Sequence, residues 1–169
     1  MAFLTRLFRK IESMRHTTQS VSKKERQVVD YIGIECVRRL IAQTGSAAFI
    51  QELSGAIELD YRRCNEFDNS ARHAIHSPLG MIELMPTSDG QMHSFKYANG
   101  HPKNTAAGLL ADVATGYRVL LSELTVTAAL RTAAMSALAA KWMARPENPV
   151  MALIGNGAQS DFQTIDRSM

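Results

Sequence analysis

Residues 72–100, "RHAIHSPLGMIELMPTSDGQMHSFKYANG", decide the fold. The run "RHAIHS", a "PLG" turn, "MIELMPTS", a "DGQ" turn and "HSFKYANG" read as three short strands in an antiparallel meander. Side chains alternate across a strand. Met81, Glu83 and Met85 therefore share one face of the second strand, and Met92, Ser94 and Lys96 share one face of the third. Further on, "LLADV", "ATG" and "YRVLLSE" read as another hairpin.

The period changes on both sides of this block. Upstream, "IECVRRLIAQTG" predicts a short helix stopped by Gly45. Phe49, Ile50, Leu53, Ala56, Ile57 and Tyr61 recur at helical spacing and predict an amphipathic helix over 47–63. Downstream, Thr125 to Ala144 holds eight alanines and neither glycine nor proline, which is strong helix-forming composition. Thr125 is the expected N-cap, and Pro146 lies just past the end. The closing stretch, "MALIGNGAQSDFQTIDRSM", predicts a buried strand at Met151–Ile154, a turn at Gly155-Asn156-Gly157, and a helix. Helices, antiparallel strands, a helix and a Rossmann-like start together predict the α+β class. The expected α+β domain is 29–148, and the beginning of a second, α/β domain is 149–169.

With 169 residues, 46% apolar and 21% charged, the chain has the composition of a soluble globular protein of one domain, or one and a fraction. No apolar run reaches the 18 or so residues of a membrane span, so no membrane partner is expected. The net charge of +3 is concentrated at the N-terminus. Residues 1–28 carry seven basic side chains (Arg6, Arg9, Lys10, Arg15, Lys23, Lys24, Arg26) against Glu12 and Glu25, a balance of +5, which leaves −2 for 29–169. This segment lacks the apolar core of a secretory signal and only faintly has the character of a transit peptide. It is expected to be a disordered basic extension. One short basic segment without a patch or fold to present it does not predict a nucleic-acid partner. Cys36 and Cys64 have no metal-ligand spacing, so no metal is expected. They read as inert thiols in a reducing compartment, which predicts a cytoplasmic location.

Two constellations can carry chemistry. The first is Gly155-x-Gly157-x-x-Ser160. In a dinucleotide-binding turn the first glycine permits the tight turn, the second lets backbone approach a diphosphate, and the third position must be small. The following helix would present N–H groups to phosphate. An ordinary glycine turn has the same local signature. The second is a set of cations inside structured segments: Arg72 opening the first strand, Lys96 within the third, and Arg131 in the first part of the Ala-rich helix. A cation is disfavoured near a helix N-terminus unless an anion compensates it. Together the three can bind a carboxylate if the fold brings them together, and spacing alone does not establish that. Met85 reads as a core residue, and His101 in "NGHPKN" as a loop residue.

The blocks "FDNSARHAIHS", "GMIELMPTSDG", "FKYANGHPKNT", "LADVATGY", "LLSELT", "ALRTAA", "SALAAKWMARP" and "MALIGNGAQS" are collinear over about 30–163. They resemble the ornithine cyclodeaminase/mu-crystallin family, and "NGHPKNT" and "LIGNGAQS" resemble its bacterial ornithine cyclodeaminases most. The resemblance implies two domains: a split substrate/dimerisation domain, which forms a homodimer through its sheet, and a Rossmann domain that binds NAD. It also implies conversion of L-ornithine to L-proline and ammonia. Hydride leaves the α-carbon for NAD, the side-chain amine attacks the resulting imine, ammonia departs, and hydride returns to the ring. Carried over by motif, Arg72, Lys96 and Arg131 are implied ligands of the substrate carboxylate, and Met85 is implied to line the substrate pocket. Arg131, Ala158 and Gln159 are implied to meet the dinucleotide, with Gly155 and Gly157 shaping its turn.

Two departures from the family pattern bear on activity. "HPKNTAAG" runs directly into "LLADV", where relatives carry an additional segment of the type "TVxAFG". A cofactor-contacting threonine and the start of a hairpin strand are expected to be missing. After "GNGAQSDFQ" the sequence reads "TIDRSM", where relatives continue the Rossmann domain. The reading is a C-terminally truncated member with a short internal deletion. The family's acid/base aspartate belongs to the part not present, so no catalytic residue is assigned. The expectation is an ornithine cyclodeaminase by ancestry without activity in this polypeptide. The alternative is a non-catalytic, dimerising or small-ligand-binding remnant.

Overall fold

The computed structural model describes residues 29–102, 105–145, 147 and 150–165. The expected basic extension, 1–28, lies outside the described residues, as do Pro146 and part of the 100–105 loop. The described elements run β1 (Asp30–Ile32), α1 (Ile34–Thr44), α2 (Ser46–Arg62), a short 3₁₀ turn (Cys64–Glu66), β2 (Asp68–Asn69) and β3 (His73–Ser77). They continue with β4 (Gly80–Ser88), β5 (Met92–Asn99), β6 (Ala106–Asp112), β7 (Arg118–Glu123), α3 (Thr125–Met143) and α4 (Ser160–Gln163).

Seven strands form one sheet in the order β1-β7-β6-β5-β4-β2, with β3 also paired to β4. Only the β1–β7 pair is parallel; the rest of the sheet is an antiparallel meander, as the alternating sequence predicts. Turn chemistry sets the register. Asp89 Oδ1 accepts hydrogen bonds from the N–H groups of Gln91 and Met92, closing the β4–β5 turn. Asp112 does the same for Thr115 in the β6–β7 turn. Gly80 opens β4 at φ 146°, and a Cβ there would lie 2.8 Å from the Gly100 carbonyl oxygen. Glycine is therefore required on two counts, backbone conformation and close approach.

The helices cover one face of this sheet. Ile32, Leu110 and Leu120 point into a core shared with Val37 and Leu40 of α1, Phe49, Ile50 and Leu53 of α2, and Leu130, Ala134 and Leu138 of α3. The alanines of α3 let α2 pack closely. Ser54 Oγ, buried at that contact, donates to the Ala134 carbonyl at 3.1 Å and so satisfies its hydroxyl.

Two local expectations change. Thr125 is the first residue of α3, not its cap: Leu124 holds the N-cap position. The Thr125 Oγ1 instead accepts from the Ala106 N–H, and the Glu123 carboxylate accepts from the Thr125 N–H. The hydroxyl foreseen as a cap instead joins α3 to β6, and no side chain caps the helix. Second, Met151–Ile154 forms no strand; it is irregular and exposed, with Ile154 99% accessible. A strand exists through its ladder, and no described strand lies beside this segment to pair with it. The β5–β6 hairpin, whose pairing the sequence leaves open, is formed. Strand β6 pairs with β5 from Met92↔Asp112 through Ala98↔Ala106, and Asn99 and Thr105 are bonded across the loop mouth.

Candidate functional site

A cavity of about 510 Å³ lies between the C-terminal half of α2, the first half of α3 and the covered face of β4 and β5. Each wall is dictated locally. On α2, Ile57, Asp60, Tyr61 and the following Cys64 are spaced three, four and seven residues apart, which puts them on one helical face. On α3, Thr127, Arg131 and Met135 recur every fourth residue. From the sheet, Met85 and Lys96 are directly cross-strand neighbours.

Three of the four residues expected to contact substrate, Met85, Lys96 and Arg131, thus line one cavity. Arg72 stands just before β3, and its Nη1 donates to Glu83 Oε1 at 3.0 Å. Glu83 is on the strand face of Met85, one position pair away from Lys96. The charges act on one another. Burial holds the Lys96 ammonium below the ordinary lysine pKa; Arg131 and Arg72 push it the same way, and Glu83 opposes them. The site is an open-mouthed, net-cationic cavity with a half-buried lysine and an apolar lining from Ile57, Met85, Leu124 and Met135. Such a cavity suits a small molecule carrying a carboxylate.

The glycine turn lies on the other side of α3. Gly155 takes a positive φ of 102°. A Cβ at Gly155 or Gly157 would meet no other part of the chain. Ser160 is buried, in keeping with the need for a small residue there, and its Oγ donates to the Gly157 carbonyl. Gln159 Nε2 donates to the Ala129 carbonyl at 2.9 Å, which ties the turn to α3 two residues before Arg131. Phe162 and Ile165 pack against the main core. The segment 159–165 is therefore attached to the α+β unit through α3.

Residues 35–167 match the family described as "Ornithine cyclodeaminase/mu-crystallin family". Ornithine cyclodeaminase of Agrobacterium tumefaciens (strain Ach5) is 53% identical over 144 residues, which is 80% of this chain and 40% of that protein. Ornithine cyclodeaminase of Brucella abortus biovar 1 (strain 9-941) is 49% identical over 146 residues, 82% of this chain and 41% of that one. The chain belongs to the ornithine cyclodeaminase/mu-crystallin family. It spans about 40% of the length of the curated relatives it matches. An archaeal alanine dehydrogenase dimer with bound NAD superposes with a TM-score of 0.66 at 24% identity, covering 80% of this chain and 43% of that chain; this likeness shows the shared fold.

Within this family chain, sequence reading overlooked several residues that line the cavity and one, Glu83, beside it. Glu83 was legible as a face-mate of Met85, yet its charge went unassigned. Asp60 and Tyr61 were hidden because the α2 periodicity was read for apolar burial alone. Thr127 stands one turn before Arg131, and that spacing was the available signal. Among the described residues no group of histidine, cysteine or acidic side chains could hold a metal ion. No described helix is long and apolar enough to cross a membrane. Cys36 and Cys64 are both free thiols.

Proposed function

We propose that this chain forms the amino-acid-binding part of an ornithine cyclodeaminase, taking L-ornithine or a similar amino acid by its α-carboxylate. The observation that carries the reading is the meeting of Lys96, Arg131 and Met85 in one cavity, with the Arg72–Glu83 pair beside them. Lys96 and Arg131 supply positive charge in a partly desolvated space, where a carboxylate is held more strongly than at an exposed surface. Arg72 reaches the same anion by exchanging Glu83 for it, a swap of one carboxylate for another. The naming of the half-identical curated relatives supports ornithine as the substrate.

NAD is the cofactor of this proposal, and the residues present fit part of its site. The Gly155–Gly157 turn leaves room for a diphosphate. Val150–Ile154 pairs with no described strand, so the described residues provide the turn and no nucleotide pocket. In the family reaction NAD takes up and returns hydride. The proposed partner is a second copy of the chain, docked through the uncovered face of the sheet, where Ile82, Leu84, Phe95 and Leu121 are exposed.

The exposed, unpaired 150–154 segment favours a second reading: this polypeptide binds its amino acid without turning it over. Both readings are tested together. L-ornithine is expected to raise the melting temperature of the purified chain, and Arg131→Ala to abolish the rise. An unmoved wild-type melt removes the binding proposal. No ornithine- and NAD-dependent ammonia release is expected, and its detection removes the second reading in favour of an active enzyme.

A further inference from the structure

We propose that Thr127 is a substrate-positioning residue whose hydroxyl completes the carboxylate site formed by Lys96 and Arg131. The inference rests on the amino-acid-binding reading of the cavity and goes beyond it by assigning a neutral hydrogen-bonding group to the carboxylate.

Thr127 is 1% exposed and lines the cavity, and its Oγ1 has no hydrogen-bond partner. That is unusual. A buried hydroxyl without a partner forfeits its hydration and gains nothing in return. A threonine in a helix ordinarily donates to the carbonyl four residues back, and two other α3 side chains do: Thr132 to Ala128 and Ser136 to Thr132. For Thr127 that carbonyl belongs to Glu123, and it already accepts the Ser122 hydroxyl at 3.0 Å. That carbonyl is engaged elsewhere, and no described residue partners the Thr127 hydroxyl.

Position supplies the rest. Thr127 and Arg131 are four residues apart on one face of α3, so their side chains are neighbours over the same cavity. An anion drawn in by Arg131 and Lys96 arrives beside the unpartnered hydroxyl. Rotation about χ1 exchanges Oγ1 with the methyl, and threonine in helices populates two such rotamers. In the bound state the hydroxyl turns to donate to a carboxylate oxygen, while Arg131 and Lys96 hold the rest of the group. The uncompensated hydroxyl is then the cost of a site prepared for its ligand.

Thr127→Val, Thr127→Ser and the wild type are compared by calorimetric titration with L-ornithine and by thermal unfolding. Val keeps the shape and removes the hydroxyl. It is expected to weaken L-ornithine binding about tenfold, the effect of losing one hydrogen bond to a charged group. It is expected at the same time to raise the melting temperature by about 2–4 °C. Ser restores the hydroxyl and is expected to bind within about twofold of wild type. A purely structural hydroxyl would not move binding and stability in opposite directions. Valine binding equal to wild type overturns the inference and leaves the cavity reading standing. Valine losing stability along with affinity also overturns it, because the hydroxyl then had a partner within the fold. A wild-type chain that does not bind L-ornithine overturns the cavity reading and this inference with it.

Discussion

The sheet has two apolar faces, and only one is covered. On the covered face, Ile32, Leu110 and Leu120 sit beneath three helices and are almost wholly inaccessible. On the other, the register lines up Tyr31, Leu121, Leu109, Phe95 and Pro86 across five strands, with Leu84 and Ile82 beside them. Most of this row is exposed. The residue types on the two faces are alike, so hydrophobicity alone does not say which face is core. The difference lies in the polar exceptions. The covered face carries Ser94, Lys96 and Glu83 at one end, where the helices part and the cavity opens. The uncovered face is apolar and broad, as association surfaces are. One face builds the core and opens into the cavity; the other stays exposed.

The largest effect should come from cutting into the covered face. Leu110→Ala removes a side chain at 0% exposure and is expected to cost about 3 kcal/mol, within the 2–5 kcal/mol range for such truncations. Leu84→Ala on the other face is expected to cost under about 1 kcal/mol in a monomeric chain. Chemical denaturation at low protein concentration measures both. Equal losses would mean that the two faces are equally buried in solution and would end the contrast.

A charge placed on the uncovered face sharpens it from the other side. Phe95→Glu, in the middle of the exposed row, is expected to leave the monomer folded and to shift sedimentation from dimer to monomer. A wild-type chain that sediments as a monomer at high concentration would show that this face has no self-partner.

Lys96→Met gives a small change in stability and the most informative sign. Burial and the neighbouring arginines lower the Lys96 pKa. Between that lowered value and 10.5, the unfolded chain binds more protons than the folded one, so Lys96 makes stability rise with pH across this window. Below the window the folded chain carries a disfavoured charge. Replacing it by Met should raise stability at neutral pH by roughly 1 kcal/mol, flatten the alkaline rise, and abolish L-ornithine binding. A destabilised variant that still binds would show that Lys96 is a structural group and not part of the site.

Much of this was legible in the sequence because it is governed by short-range rules. The β4–β5 hairpin follows from alternation and from Asp89 at the turn, and helix α3 follows from its alanines. Gly45 stops α1, and its N–H bonds back to the Ile41 carbonyl. The site was legible as residue types and not as a place. Arg72, Lys96 and Arg131 are far apart in sequence, and their spacing contains no information about a shared cavity. Thr125 was misjudged as a cap because its hydroxyl is taken by the Ala106 N–H of the neighbouring strand. Met151–Ile154 was misjudged as a strand because apolar composition is necessary for a buried strand and does not supply the neighbour it must pair with.

The sequence by itself determined the main helices, the antiparallel meander and the family, since these depend on periodicity, turn chemistry and motif. Tertiary structure alone decided three things. It brought Lys96 and Arg131 to one cavity, because β5 and α3 meet only when the helices fold back over the sheet. It chose which of two similar apolar faces became the core, because α1, α2 and α3 all lie on one side. It buried the Thr127 hydroxyl without a partner, because the packing of α3 against the sheet removed it from water and offered no acceptor.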